Sequence, residues 1–165
     1  MMKDIEIIQA GLDDAEVASS IMQEAAAWLE VTGHTLWFPE ELTPDKLKGY
    51  IVAGELFLVL MDGRPVGTVI FQLSDTLYWP DMPEGNAAYI HKITLKRSAV
   101  GKGLGRQILA WAKEKARSER RTYLRLDTEA ARLKLCALYE SAGFSRHSER
   151  QVGRHYVVRY EIKIK

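Results

Sequence analysis

The order of apolar and polar residues along the chain predicts an alternation of strands and helices. Short runs that are apolar on one face or throughout predict seven strands, over residues 3–9, 55–61, 64–73, 90–95, 124–127, 144–149 and 156–164. Apolar residues spaced three and four apart predict four helices, over about residues 13–33, 44–53, 104–117 and 130–142. These elements indicate a mixed α/β fold. We find no repeat or internal linker, so we expect a single domain over residues 1–165.

Two connections and one strand add detail to this pattern. Asp62-Gly63 predicts the tight turn of a hairpin between two strands. Residues 74–86 form a long stretch with two prolines, and loops of this length are usually functional or disordered. The aromatic pair Tyr78-Trp79 favours a loop that packs. Within residues 124–127, Arg125 and Asp127 share one face of the strand, which predicts an ion pair between them.

Three alternate glycines, Gly101, Gly103 and Gly105, lie where a strand gives way to a helix. Glycine allows a positive φ and a close approach of the backbone to a ligand. A loop that enters a helix also leaves several N–H groups unpaired, and the helix dipole favours an anion beside them. The expected occupant is a phosphate or pyrophosphate, and an ordinary glycine-rich turn is the alternative.

Two widespread phosphate-binding patterns do not fit these glycines. The P-loop requires a lysine and then Ser or Thr after its last glycine, and that pair is missing here. The dinucleotide pattern G-x-G-x-x-G would put its third glycine at Arg106 or Ile108, and no acidic residue ends a second strand about twenty positions on.

The stretch does resemble the acyl-CoA-binding motif of the GNAT-type N-acetyltransferase superfamily. In that motif a strand and a short basic turn precede Q/R-x-x-G-x-G/A at the start of a helix. Ile93-Thr94-Leu95 is similar to the end of the strand, Lys96-Arg97-Ser98-Ala99 to the turn, and residues 100–105 to the glycine motif. Tyr123–Asp127 resembles the family's next strand, and Leu138–Phe144 resembles its Y-x-x-x-G-F ending.

Two positions depart from the family's pattern. Val100 stands where the family usually has Gln or Arg, so one side-chain contact to the phosphates is missing while the backbone N–H groups remain. Arg132 stands seven residues before Tyr139, where an Asn often contacts the cofactor.

The resemblance implies a GNAT-like α/β (α+β) fold with a mixed, largely antiparallel sheet of about seven strands and about four flanking helices. It implies acetyl-CoA as cosubstrate, with two parallel strands that splay apart around the pantetheine arm. The arm would bond to main-chain groups near Ile93–Leu95, and the pyrophosphate would bind N–H groups from Gly101 to Arg106. The cofactor-binding residues expected from the resemblance are Ile93, Thr94, Leu95, Val100, Gly101, Lys102, Gly103, Leu104, Gly105, Arg106 and Arg132.

Acyl transfer to an amine needs a base for the acceptor ammonium and an acid for the departing thiolate. Tyr139 stands where the family's tyrosine acid stands, and a core tyrosine on an amphipathic helix is the alternative. For the base we favour His91, which faces the same side as Ile93 and titrates near neutrality. A structural histidine is the alternative there, with Tyr89, Glu84 and His34 as other candidates for the base.

Aromatic residues outside the motif are expected to line the acceptor pocket: Trp28, His34, Trp37, Tyr78, Trp79 and Tyr89. Aromatic rings with nearby carboxylates suit a cation, which favours the primary amine of a small molecule. Two other functions stay open, a non-catalytic acyl-CoA-binding module and an acetyltransferase acting on a protein N-terminus or lysine. Nucleic-acid binding is disfavoured, because the basic residues on helix 104–117 alternate with acids and lack a set of stacking aromatics.

The charge of the chain is unevenly distributed. Residues 1–89 hold 15 acidic and 4 basic side chains, whereas residues 90–165 hold 7 acidic and 19 basic ones. The basic half contains the glycine motif, as expected if it attracts a polyanionic cofactor. The single cysteine, Cys136, excludes a cysteine-built zinc site, and we expect no metal. The sequence shows neither the apolar core of a signal peptide nor an apolar run long enough to span a membrane, so we expect a cytoplasmic protein with no membrane partner. For the oligomeric state we consider a homodimer.

Overall fold

The computed structural model describes residues 4–33 and 37–164, which contain seven strands and four α-helices. The strands are β1 (Ile5–Gln9), β2 (Leu56–Met61), β3 (Arg64–Gln72), β4 (Ala87–Leu95), β5 (Tyr123–Glu129), β6 (Ser145–Val152) and β7 (His155–Lys163). The helices are α1 (Ala15–Val31), α2 (Pro44–Val52), α3 (Leu104–Ser118) and α4 (Leu133–Ser141). All eleven correspond to elements predicted from the sequence, with ends that differ by up to three residues. None of the described helices is both long and apolar enough to span a membrane.

The strands form one sheet in the order β1-β2-β3-β4-β5-β7-β6. β1 pairs with β2, β2 with β3, β5 with β7 and β6 with β7, all antiparallel. β4 and β5 are parallel. This largely antiparallel sheet with four helices confirms the predicted fold class.

The chain divides into two compact units, and the first contains Met1–Ile70 and Lys92–Ile108. Its core lies between the apolar faces of α1 and α2 and side chains of β2, with Met22, Leu47 and Leu58 among the buried residues. α2 begins as the sequence predicts, because the Thr43 side chain accepts a hydrogen bond from the Lys46 N–H at 3.3 Å and Pro44 occupies the first turn.

The second unit contains Phe71–His91 and Leu109–Lys165. In its interior Arg125 is 3% exposed, and its guanidinium donates to Glu161 Oε2 at 2.7 Å and to the Tyr89 hydroxyl at 3.1 Å. The predicted ion pair between Arg125 and Asp127 is therefore wrong. The register explains the difference, since Arg125 lies directly opposite Glu161 on β7.

The pairing of β5 with β7 also explains where α4 begins. The sequence predicts a strand over residues 124–127 and a helix from about Ala130. In the structure β5 continues to Glu129, because Thr128 and Glu129 pair with Val158 and Val157 of β7. α4 consequently begins at Leu133. The single domain over residues 1–165 stays a prediction.

Candidate active site

The glycine loop of the first unit has the backbone that a phosphate-binding loop requires. Gly101 and Gly103 adopt φ of 84° and 78°, in the left-handed region that favours glycine. Gly105 instead lies in the first turn of α3. The exposed side chains of Lys102 and Arg106 flank this start of the helix, whose first N–H groups have no acceptor within a helix. The loop therefore combines positive charge with N–H donors, which suits an anion.

The end of β4 passes unusually close to β3 in the first unit. A Cβ atom on Gly67 would lie 2.5 Å from the Thr94 carbonyl oxygen and 2.9 Å from Leu95 Cδ2. The Lys96 N–H donates to the Val66 carbonyl at 2.8 Å. Only a residue without a side chain fits at position 67, so Gly67 fixes the position of the β4 backbone next to Ile93–Leu95.

β4 is also locally distorted before this segment. Lys92 has a φ of 50°, which is uncommon for a residue other than glycine. Its carbonyl oxygen accepts a hydrogen bond from Thr94 Oγ1 at 3.0 Å and one from Thr68 Oγ1 at 3.4 Å. Among the described residues the parallel ladder of β4 with β5 comprises three pairs and ends at Tyr89 and Arg125, although both strands continue.

Two aromatic residues expected in the acceptor pocket contact cations of the first unit. The Arg97 guanidinium lies 3.6 Å from the centre of the Trp28 ring, and its main-chain N–H donates to Glu24 Oε2 at 3.0 Å. Lys92 Nζ lies 5.4 Å from the centre of the Trp37 ring. Trp28 thus packs against the basic turn before the glycine loop. His34 lies outside the described residues.

In the second unit the predicted base, His91, is held between two carboxylates. His91 Nε2 lies 2.7 Å from Asp75 Oδ2, and His91 Nδ1 lies 3.5 Å from Asp127 Oδ2. All three side chains are largely buried, with 15%, 5% and 9% of their surface exposed for His91, Asp75 and Asp127. The Tyr78 ring packs beside the imidazole, with 5.5 Å between ring centres.

Asp75 owes its fixed position to the loop that follows β3. Its Oδ1 atom accepts hydrogen bonds from the main-chain N–H groups of Leu77 at 3.1 Å and Tyr78 at 2.9 Å. Burial acts to raise the pKa of Asp75, but the hydrogen bond and charge of His91, with these two N–H donors, outweigh it and hold the pKa below its usual range. Asp75 is therefore a carboxylate at neutral pH.

The cluster of Asp75, His91 and Asp127 is better described as a hydrogen-bonded network than as a metal centre. Each residue offers one ligand atom, and the three atoms lie within 4.8 Å of one another. Metal–ligand bonds of about 2.0–2.2 Å keep neighbouring ligand atoms about 3 Å or more apart. The 2.7 Å separation between His91 and Asp75 is shorter, and it is the length of a charge-assisted hydrogen bond.

Tyr139, the predicted acid, is buried on α4 of the same unit. The residue is 4% exposed, and its ring packs against Phe144 and Tyr160 with ring centres 6.2 and 5.8 Å apart. Burial, and then the charge of Asp127, raise the pKa of Tyr139 well above its usual value, while Arg132 opposes this shift. Before the reaction the hydroxyl is therefore protonated at neutral pH, as a proton donor must be.

Two other residues expected in the acceptor pocket are interior residues of the second unit. Trp79 is 1% exposed and lies beside two guanidinium groups, with Arg159 at 4.6 Å and Arg125 at 5.2 Å from its ring centre. Tyr89 is 4% exposed and hydrogen-bonded to Arg125. This burial favours a packing role for both. Glu84, another candidate base, is exposed and accepts a hydrogen bond from Ser74 Oγ at 3.0 Å.

Asp75 and Asp127 were missed as site residues from the sequence. An aspartate at the start of a loop is a common acceptor for N–H groups two or three residues on, and that signal was available at Asp75. Nothing local marks Asp127, whose place beside His91 depends on the parallel pairing of β4 with β5.

Comparison with known proteins identifies the family. Residues 17–144 match the family model described as acetyltransferase (GNAT) family. The chain belongs to this family, which confirms the family and enzyme class predicted from the sequence, an acyl-CoA-dependent N-acetyltransferase.

Individual relatives agree with this assignment. An uncharacterised N-acetyltransferase of Bacillus subtilis, YesJ, is 26% identical over 138 residues, which cover 80% of this chain and 77% of the relative. A GNAT-family acetyltransferase from Listeria monocytogenes has a TM-score of 0.80 at 22% identity, with 96% of this chain and 94% of that chain covered. The aminoglycoside acetyltransferase AAC(6')-Ib, solved with coenzyme A and kanamycin, has a TM-score of 0.76 at 17% identity, with 97% and 95% covered.

Proposed function

We propose that the protein transfers an acetyl group from acetyl-CoA to a primary amine of a small, cationic molecule, by direct attack in a ternary complex. The observation that carries the acceptor class is the pair of buried carboxylates on either side of His91, with the Tyr78 ring beside it. Buried anions next to an aromatic ring attract an ammonium group, and a histidine among them can take its proton.

The donor is proposed to bind to the first unit. N–H groups from Gly101 to Arg106 would hold the pyrophosphate, and main-chain groups of Ile93–Leu95 would hold the pantetheine amides. Two left-handed glycines and the close approach at Gly67 support this assignment. Solved relatives described with coenzyme A or acetyl-CoA, from Thermoplasma acidophilum and Salmonella typhimurium, support it too.

The reaction then needs four proton transfers. The acceptor ammonium gives one proton to His91, and its lone pair attacks the thioester carbonyl carbon. The C–N bond forms, the C–S bond breaks, and Tyr139 gives its proton to the departing thiolate. The nitrogen loses a second proton as the amide forms, which restores the Tyr139 hydroxyl, and His91 returns its proton to water.

A protein N-terminus or lysine is the second candidate acceptor. The small-molecule class is supported by a relative of similar fold whose described complexes contain aminoglycosides, namely kanamycin and ribostamycin. At 16–17% identity this likeness concerns the fold, so the acceptor has to be found by assay.

The test is a panel of amines with acetyl-CoA, read as release of the coenzyme A thiol. The panel should contain monoamines, linear polyamines, aminoglycosides and short peptides with a free N-terminus or one lysine. We expect turnover with at least one small cationic amine and little with the peptides. Turnover confined to the peptides would replace the small-molecule acceptor with a protein one. Binding of acetyl-CoA without turnover of any amine would contradict the proposed function.

A further inference from the structure

The two ring nitrogens of His91 have different surroundings, and this difference has a chemical consequence. Nε2 makes a 2.7 Å contact with Asp75, whereas Nδ1 lies 3.5 Å from Asp127. A neutral imidazole carries one N–H, and a carboxylate can only accept a hydrogen bond. We propose that Asp75 is a positioning residue that keeps the ring proton of His91 on Nε2, so that Nδ1 is the atom that receives the acceptor's proton. This inference rests on the proposed function, in which His91 is the base.

The environment of Asp75 suits this role because its carboxylate cannot turn. Oδ1 is occupied by the N–H groups of Leu77 and Tyr78, which leaves Oδ2 directed at His91. The side chain is 5% exposed, so water does not compete for these bonds. Burial alone would raise the pKa of Asp75, but its hydrogen bonds with His91 and the two N–H groups keep it ionised at neutral pH.

The groups around the ring favour proton transfer at Nδ1. Asp75 and Tyr78 face His91 from the loop after β3, and Asp127 faces it from β5, with Tyr139 of α4 close enough to Asp127 to interact with its charge. Carboxylates beside both nitrogens stabilise the positively charged ring formed after the transfer.

In the proposed step one proton moves from the acceptor to His91. One N–H bond of the acceptor ammonium breaks and its proton goes to His91 Nδ1, which leaves the electron pair on the acceptor nitrogen for attack. The Nε2–H bond and its hydrogen bond to Asp75 stay unchanged. The proton on Nδ1 returns to water after the amide product leaves.

The first test reads the position of the ring proton directly and needs no activity. Nitrogen-15 NMR of protein labelled at histidine distinguishes a ring protonated on Nε2 from one protonated on Nδ1. The His91 signals are assigned as those present in the wild-type spectrum and absent from the spectrum of His91→Gln. At a pH where the ring is neutral we expect the proton on Nε2. A ring protonated on Nδ1 would overturn the proposal. Because this measurement is made without an acceptor, its result stands whether or not the amine panel identifies a substrate.

The second test exchanges the roles of the two nitrogens. Asp75→Asn keeps a carbonyl oxygen for the N–H groups of Leu77 and Tyr78 but replaces Oδ2 with an NH₂ donor. A flipped amide would set NH₂ against two donors, so the orientation is fixed. His91 Nε2 must then accept, and its proton moves to Nδ1. We expect the NMR signals to report this exchange and kcat to fall by about 10²-fold or more, with acetyl-CoA binding unchanged.

Asp81→Asn is the matched control in the same loop. Asp81 pairs with Arg159 at 2.7 and 3.1 Å and is not bonded to His91. We expect this variant to keep the Nε2–H ring and a wild-type kcat, even if its melting temperature falls. An equal loss of kcat in both variants would mean that Asp75 only holds the loop together. The proposal would also be overturned if Asp75→Asn kept the ring proton on Nε2 and had the kcat of the wild type.

Discussion

Gly67→Ala is the substitution whose consequences the structure defines most sharply. The new methyl group would lie 2.5 Å from the Thr94 carbonyl oxygen, on main chain that cannot rotate away. Ordinary contacts begin near 3.4 Å, so β4 must move by about 0.9 Å, or β3 must move by the same amount. The affected segment, Ile93–Leu95, is the one proposed to bind the pantetheine arm.

Two opposing terms set the expected loss of stability. Forcing an extra methyl group into a packed site costs about 1–3 kcal/mol. Gly67 does not have a positive φ, so alanine also restricts the unfolded chain and recovers about 0.4–1 kcal/mol. We therefore expect a net loss of about 0.5–2.5 kcal/mol, which lowers the melting temperature by about 1–10 °C for a chain of this length.

In Gly67→Ala the affinity for acetyl-CoA should fall by more than the loss of folding stability alone would cause, because the displaced main chain of Ile93–Leu95 is part of the proposed binding site. The assay is thermal melting with and without acetyl-CoA, together with titration calorimetry. Gly49→Ala is the control, since Gly49 lies inside α2 and no atom of the described residues is within 4 Å of an added Cβ. That variant should be more stable by about 0.5–1 kcal/mol and bind normally. Wild-type stability and affinity in Gly67→Ala would refute the steric argument.

Three further predictions concern the glycine loop, the proposed acid and the ion pair of Asp81 with Arg159. Gly103→Val should abolish the rise in melting temperature that acetyl-CoA gives, about 2.7 kcal/mol of stabilisation at 100 times its dissociation constant, whereas Gly153→Val, also at positive φ but in the β6–β7 turn, should keep it. Tyr139→Phe should lower kcat by about 10²-fold at every pH with little change in acetyl-CoA affinity, and a rate within threefold of wild type would make Tyr139 a packing residue. The hydrogen bond from Arg159 lowers the pKa of Asp81 to about 2. The pair therefore stabilises the folded state fully above the usual aspartate pKa near 3.8, and this contribution is lost as the pH falls towards 2. The difference in urea midpoint between wild type and Asp81→Asn should accordingly shrink from pH 7 to pH 3, and a difference that is the same at both would contradict this.

The parts of the molecule that could be predicted from the sequence are those with local causes. The glycine loop follows from backbone conformations that other residues avoid, and Gly101 and Gly103 do adopt them. The start of α2 follows from a cap residue and a proline, which need no distant partner. Strand and helix positions follow from periodicity, and their ends moved where pairing with another strand extended them, as at Glu129.

The parts that could not be predicted depend on partners far along the chain. Trp79 has the chemistry of a ligand-binding aromatic, but it is buried beside Arg125 and Arg159, which both belong to strands 46 or more residues later in the chain. The error over the ion pair of Arg125 has the same origin. Facing positions on one strand are visible in a sequence, whereas the opposing residue, Glu161, is set by the register with β7.

The same reasoning changes how the predicted base is understood. From the sequence His91 is one histidine on a strand, for which a structural role is the usual one. In the structure it lies between Asp75, 16 residues earlier, and Asp127, 36 residues later, and both carboxylates are largely buried. Burying two carboxylates costs free energy unless they are paired. A purely structural role for His91 would therefore leave the two aspartates beside it unexplained, because apolar residues would fill the same space at a lower cost in free energy. A site that binds an ammonium group and then holds its proton on His91 accounts for both carboxylates, because one lies beside each nitrogen of the ring and both stabilise its positive charge.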